Sequence, residues 1–208
     1  MSRAVGIRPR LSLHHLVSSQ NRVVLHWLVT ATLLVGGALL LGQGVYMSAK
    51  AKLAQRLIEH SWQQGAAGSP PPTPWWWADT KAVAQLNVPR LNKKLYVMQD
   101  DSGESLAFGP GHMNGSAEIS SNGHIMIAGH RDSHFEFLRN IKVGDKISTT
   151  RFDESKMHYK VNNIYVLDSS KHDLPLYEHS QLSLITCYPF DDFIPGGPLR
   201  LVVDATPI

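Results

Sequence analysis

The chain has 208 residues, of which 43% are apolar, 18% charged and 8% aromatic, with 16 glycines, 12 prolines and one cysteine; this excludes whole-chain disorder, a collagen repeat and a disulfide scaffold. Arg3, Arg8, Arg10 and Arg22 are the only formally charged residues before position 46, so the other 16 basic residues face all 17 acidic ones. The isoelectric point near 9.0 therefore belongs to the N-terminal segment, and the rest carries no basic stripe for a nucleic-acid partner.

Val23 to Met47 runs 25 residues without Asp, Glu, Lys or Arg. About 20 apolar residues span a bilayer core, so residues 23–47 are expected to form a single-pass transmembrane anchor. The arginines ahead of it predict a cytoplasmic N-terminus over residues 1–22, and Tyr46 suits the far interface. A cleaved signal peptide competes with this reading, because Ala49-Lys50-Ala51 imitates a small-x-small site. Signal-peptide apolar regions usually run about 7 to 15 residues, which favours the anchor. Under either reading the downstream domain is exported.

Residues 48–74 join the anchor to the folded domain. SAKAKLAQRLIEHSWQQ (48–64) is rich in helix formers and predicts a short helix, either a spacer or a docking element. GAAGSPPPTP (65–74) carries four prolines and two glycines and reads as a semi-rigid linker. The domain is expected over residues 75–208, starting at Trp75-Trp76-Trp77, which suits packing, a membrane surface or substrate stacking. Short strands follow at 82–88, 94–99, 124–129, 145–152, 158–167, 182–187 and 200–205, with a short helix at 133–141 and a turn over FGPGHMNGS (108–116). Many short strands with little helix predict a mainly β fold, a compact barrel or sandwich.

Cys187 is the only cysteine in the exported part, so it cannot form an intramolecular disulfide. It is either a reactive thiol or a small buried hydrophobe. Its setting favours the thiol: LSLITC ends a strand, and the loop YPFDDFIPGGP follows with three prolines and two glycines. A thiol nucleophile needs a proton carrier, typically His, and a donor for the oxyanion. His130, after the strand HIMIAG, and Arg200, opening RLVVDA, are the candidates. No HExxH or Cys/His zinc pattern occurs, and no metal or cofactor is expected. His124, His130 and His134 could surround a metal only against strand geometry.

IAGHRDSHFEFLRNIKVGDKI (127–147) and LITCYPFDDFIPGGPLRLVV (184–203) together resemble the catalytic core of a sortase, a cysteine transpeptidase. The Pro-Trp-rich linker and AFGPGH (107–112) are similar to the proteobacterial, Gram-negative class. The resemblance implies a closed β-barrel of about eight strands with short helices. It implies that Cys187 is the nucleophile, His130 the general acid/base and Arg200 the oxyanion and substrate ligand, with Thr186, Ala128 and Gly129 lining the substrate pocket. It further implies that the loop from Asp168 to Gln181 recognises an LPxTG-like C-terminal sorting signal on an exported protein, with the amine acceptor unspecified. A single-pass inner-membrane protein with a periplasmic catalytic domain follows from the anchor. The competing enzyme readings are another Cys/His peptidase or an L,D-transpeptidase; the latter places Arg almost directly after Cys, where this chain has Tyr188-Pro189. A non-catalytic periplasmic binding module is the alternative from another class.

Overall fold

The computed structural model describes residues 19–65, 69–192 and 196–208. Arg3, Arg8, Arg10 and part of each proline-rich loop lie outside the described residues. The described residues fall into two compact units, 19–50 and Ala51–Ile208.

Helix α1 spans Ser19–Gln64 without a break, where separate apolar and juxtamembrane segments are expected from sequence. The good helix formers of residues 49–57 carry the backbone straight through the junction. Its N-terminal, apolar part is one helix long and apolar enough to cross a membrane, by length and composition. Its C-terminal turns belong to the second unit, where Ala54, Ile58 and Ser61 are buried at i, i+4 and i+7. Ile58 packs with Ala82 and Met98 among Trp62, Trp75, Tyr96 and Phe108. Gln55 Nε2 donates to Phe108 O at 2.6 Å and Ser61 Oγ donates to Pro72 O, which fixes this helical face to the barrel. Trp75 sits edge-on against Phe108 at 5.0 Å, while Trp76 and Trp77 are exposed.

The second unit is a closed eight-stranded barrel. Its strands are β1 (Ala82–Val88), β2 (Lys93–Met98), β3 (Gly111–His112), β4 (His124–Ala128), β5 (Lys146–Arg151), β6 (Lys156–Asp168), β7 (Gln181–Cys187) and β8 (Leu199–Pro207). They close in the order β1-β2-β3-β4-β7-β8-β6-β5. The pairings are antiparallel except β2 with β3 and β4 with β7. Side chains alternate across each strand. Leu86 of β1, Ile125 and Ile127 of β4, Leu182 and Leu184 of β7, and Leu201 and Val203 of β8 fill the interior with Phe135 and Leu138. Each such apolar side chain stabilises the fold by about 1.5–3 kcal/mol relative to exposure.

Two local expectations from sequence change. Residues 133–141 form only a 3-10 turn, Glu136–Asn140, because Phe137 and Leu138 both turn into the core within one short segment. The stretch 108–116, expected to be a turn, holds the end of helix α2 (Gly103–Phe108) and strand β3. Gly111 is there for close approach: a Cβ would fall 2.2 Å from Asp100 O.

One ion pair holds the loop before β5. Asp145, 7% exposed, accepts from Arg90 Nε, from Arg90 Nη2 at 2.6 Å and from Lys142 N at 2.8 Å. The Arg90 guanidinium holds this carboxyl below the usual carboxylate range. Its stabilisation is therefore complete above the unfolded value of about 3.9 and lost as pH falls through the lower folded value. Asp145→Asn should lower stability by about 1–3 kcal/mol near neutral pH, read as a drop in Tm, with the difference from wild type shrinking in acid. An unchanged Tm would contradict the assignment.

Candidate active site

The barrel order places β4, β7 and β8 side by side, so strand ends far apart in sequence meet at one rim. Cys187 closes β7, and its Cα partner on β8 is Arg200. Antiparallel partners project to the same face, so thiol and guanidinium share the outer side of the sheet. On the other flank Ala128 pairs with Ile185, and Gly129 N donates to Ile185 O at 3.0 Å. Two residues beyond that pair, outside β4 itself, stands His130, next to the end of β7 that carries Cys187. The structure thus gathers Cys187, His130 and Arg200 at the end of three neighbouring strands. Cys187 is half-buried, His130 exposed and Arg200 half-buried.

The residues just inside this rim hold it in place. Thr186 lies on the inner side of β7, 2% exposed, and its Oγ1 donates to Gly129 O at 2.7 Å. That bond ties the residue before His130 to the residue before Cys187. Gly129 is glycine because a Cβ would fall 2.8 Å from two ring carbons of Phe135, which is fully buried. Phe135 N in turn donates to His130 O at 3.0 Å. Gly129→Ala should therefore cost about 1–3 kcal/mol by overpacking and displace His130 as well. The expected outcome is a lowered Tm with a larger loss of kcat than of peptide affinity; wild-type activity would contradict it. Ala128 is half-buried on the outer face beside Ile185.

Arginines that carry no sequence motif of their own clamp the loop after Cys187. Arg131 donates to Pro189 O at 2.7 Å and to Asp192 O at 2.6 Å. Arg139 pairs with Asp191 at 2.6 Å and lies 5.2 Å over the Phe190 ring. Tyr188 N donates to Leu199 O at 3.0 Å. Arg200 Nη1 donates to Gly197 O at 2.6 Å and Leu199 O at 2.9 Å, which orients the guanidinium, and among the described residues no carboxylate neutralises it. His134 is half-buried close to His130; burial pushes its imidazole down, the neighbouring His130 adds to this, and a bond to Ala107 opposes it.

Behind this rim the outer face of the sheet is apolar. Met126, Ile185 and Val202 are buried there, with Met113, Tyr165, Leu167 and Leu174 packed against them. The Asp168–Gln181 segment supplies Leu174 and is fixed at its start by an Asp168 turn, whose carboxyl accepts from Ser170 N at 3.0 Å and Ser170 Oγ at 2.6 Å. With Lys171 added at 2.9 Å, these bonds hold the Asp168 carboxyl at about 2. A thiol, an imidazole and a guanidinium at one rim of strand ends can attack a carbonyl carbon and stabilise the charge that develops on its oxygen. Among the described residues no cluster of three His, Cys, Asp or Glu groups could hold a metal. His124 and His130 stand six residues apart at opposite ends of β4, about 20 Å along an extended strand.

Comparison with known proteins agrees with this geometry. Residues 86–208 match the family model of the sortase domain. Sortase D of Bacillus subtilis (strain 168) is 26% identical over 120 residues, 57% of this chain and 60% of that protein. Sortase A from Corynebacterium diphtheriae superposes with a TM-score of 0.53 at 26% identity, covering 64% of this chain and 63% of the other. A Clostridium perfringens sortase D5 transpeptidase has the same fold, with a TM-score of 0.61 at 19% identity over 76% of this chain and 99% of its own. The chain spans about three-fifths of the length of the first two relatives.

Proposed function

This chain belongs to the sortase family, and from that premise we propose that it is a membrane-anchored cysteine transpeptidase. Its substrate is an exported protein ending in an LPxTG-like sorting signal, and its product is that protein joined to an amine acceptor. The observation that supports the reading is the register of β4, β7 and β8, which pairs Cys187 with Arg200 and ends β4 beside β7 two residues before His130.

The mechanism follows from the chemistry of those three groups. The Cys187 thiolate attacks the scissile carbonyl carbon, and a C–S bond forms as negative charge moves onto the carbonyl oxygen. Arg200 donates to that oxygen; a guanidinium suits the role because it stays charged and offers donors in a fixed fork. Collapse of the tetrahedral species breaks the C–N bond, and His130 gives its proton to the departing amine. The resulting thioester is opened by an incoming amine, whose proton returns to His130, and the thiolate is regenerated. Water in place of the amine yields hydrolysis. Thr186 and Gly129 act on this chemistry by holding His130 near the end of β7, while Ala128 lines the substrate pocket.

The proposed topology places residues 1–22 in the cytoplasm, 23–47 in the inner membrane, 48–74 as the connection and 75–208 as the catalytic domain in the periplasm, in keeping with the Gram-negative class. Four arginines before the apolar run and its 25 uncharged residues support that orientation. Tethering to the surface that carries the substrate raises the effective concentration of each for the other. The test is to incubate the full-length protein in detergent with a panel of C-terminal sorting-signal peptides and small amine acceptors, with products identified by mass spectrometry. The reading expects cleavage within one motif and an acceptor-dependent ligation product. No cleavage of any such peptide would refute it.

A further inference from the structure

We propose that His124 is a positioning residue: buried at the start of β4, away from the Cys187 rim, it anchors the Asp168–Gln181 segment over the sheet and so sets the affinity for the substrate peptide. The inference rests on the transpeptidase reading.

The argument starts from a polar cluster inside an otherwise apolar face. His124, Ser183, Asp204 and Gln181 are each no more than 4% exposed. They come from three neighbouring strands, with Ser183 the Cα partner of both Met126 on β4 and Asp204 on β8. Buried polar groups of this kind must be fully paired to be tolerated. The pairing also assigns the protons. Ser183 Oγ donates to Asp204 Oδ1 at 2.5 Å, so His124 Nε2, 2.7 Å from Ser183 Oγ, is the donor to it. Tyr177 N donates to His124 Nδ1 at 3.2 Å, so Nδ1 carries no proton. His124 is held as the neutral Nε2–H tautomer, with one nitrogen on the sheet and the other on the overlying segment.

Three further bonds secure the same end. Gly123 N donates to Ser180 Oγ at 3.3 Å, Gln181 N donates to Gly123 O at 3.1 Å, and His179 Nε2 lies 3.1 Å from Gln181 Oε1. The Tyr177 ring lies 5.0 Å from the His124 ring. Leu174, three residues before Tyr177, packs on Met126, Ile185 and Val202. The position of the Tyr177 backbone therefore bears on where Leu174 packs over this outer face. His124 is four residues from Ala128, about 13 Å along β4, too far to touch the reacting groups. Its effect falls on peptide binding.

The anchor depends on protonation. A second proton on Nδ1 would set it head to head with the Tyr177 N–H and release the segment. Burial pushes the His124 imidazole down, His179 adds to this, and Asp204 opposes it. The other titratable groups facing the cluster are Tyr177 on the segment and Tyr165 on β6, whose hydroxyl is pushed up by burial and by Asp204. Because the unfolded chain takes up the His124 proton first, its contribution to stability is complete above about pH 6.5 and erodes as pH falls below that.

The experiment uses the full-length protein in detergent, with peptide KM and kcat and amide hydrogen-exchange protection at Tyr177 measured at pH 7.5 and 5.5. His124→Ala should raise KM about tenfold or more at pH 7.5 with kcat changed less than about threefold, and should strip Tyr177 of protection. His124→Asn keeps an acceptor near the Nδ1 position and does not titrate, so its KM and Tyr177 protection should stay flat where wild type loses both on acidification. A His124→Ala protein with wild-type KM and Tyr177 protection overturns the proposal, as does a His124→Asn protein that follows the wild-type pH response. Should the wild type cleave no sorting-signal peptide, the catalytic reading fails. The anchor is then decided by Tyr177 protection, and equal protection in wild type, His124→Ala and His124→Asn at both pH values refutes it.

Discussion

Cys187→Ala should reduce cleavage of the sorting-signal peptide to background while leaving Tm within about 1–2 °C of wild type. The side chain is half-buried at the end of β7, so removing one sulfur leaves no sizeable core cavity. The chemical loss is total because no other thiol exists in the chain and covalent catalysis has no substitute nucleophile. Cys187→Ser separates nucleophilicity from shape. It keeps a hydroxyl in the same place, but nothing at this rim resembles the Ser-His-Asp arrangement that would activate it. Cleavage by Cys187→Ala at more than a few per cent of wild type would refute the assignment, and a large Tm drop would show Cys187 to be a packing residue.

Arg200→Ala should lower kcat/KM by about 10²–10³-fold, the usual cost of removing an oxyanion donor from a preorganised site. The guanidinium is preorganised here by Gly197 O and Leu199 O, which take hydrogen bonds from its Nη1, and by its register opposite Cys187. Arg200→Lys tests whether charge alone suffices. Lysine keeps the positive field but loses the planar fork, so most of the loss should remain. His130→Ala should cost about 10²–10⁴-fold through the lost proton transfer to the leaving amine. A peptide with a leaving amine of lower basicity should partly rescue His130→Ala and should not rescue Arg200→Ala. Equal rescue of both variants would contradict the division of roles.

Most of the barrel is legible in the sequence because its strands alternate so regularly. AVAQLNV, LSLITC and RLVVDA each place apolar residues every second position, and β1, β7 and β8 fall within a residue or two of those runs. The neighbours of each strand are not legible. Nothing in HIMIAG says that it pairs in parallel with LSLITC, yet that pairing brings His130 to Cys187. The spacing of GH, TC and R shared with the sortase family stands in for it at the level of sequence, whereas the barrel order supplies the physical reason.

The less visible features share one cause: their signal is long-range. His124, Ser183 and Asp204 are separated by 59 and 21 residues and become a cluster only through β4, β7 and β8. Gly111 and Gly129 look like turn glycines, but at both positions the backbone is passing too close to Asp100 or Phe135 for a side chain. Arg131 and Arg139 carry no motif, and their grip on the loop after Cys187 depends on where the 3-10 turn Glu136–Asn140 sets them. The unbroken α1 is a milder case. The apolar run and the helix-forming run after it are each visible, while the docking of Ile58 on Ala82 and Met98 is a contact between residues far apart in the chain.

The most direct test of the central claim is the intact mass of full-length protein quenched in acid within seconds of mixing with a sorting-signal peptide. A Cys187 thioester predicts an added mass equal to the N-terminal product of the peptide, mapped to the fragment containing Cys187, removed by hydroxylamine and absent from Cys187→Ala. Peptide cleavage with no adduct under these conditions, or an adduct on any other residue, would contradict it.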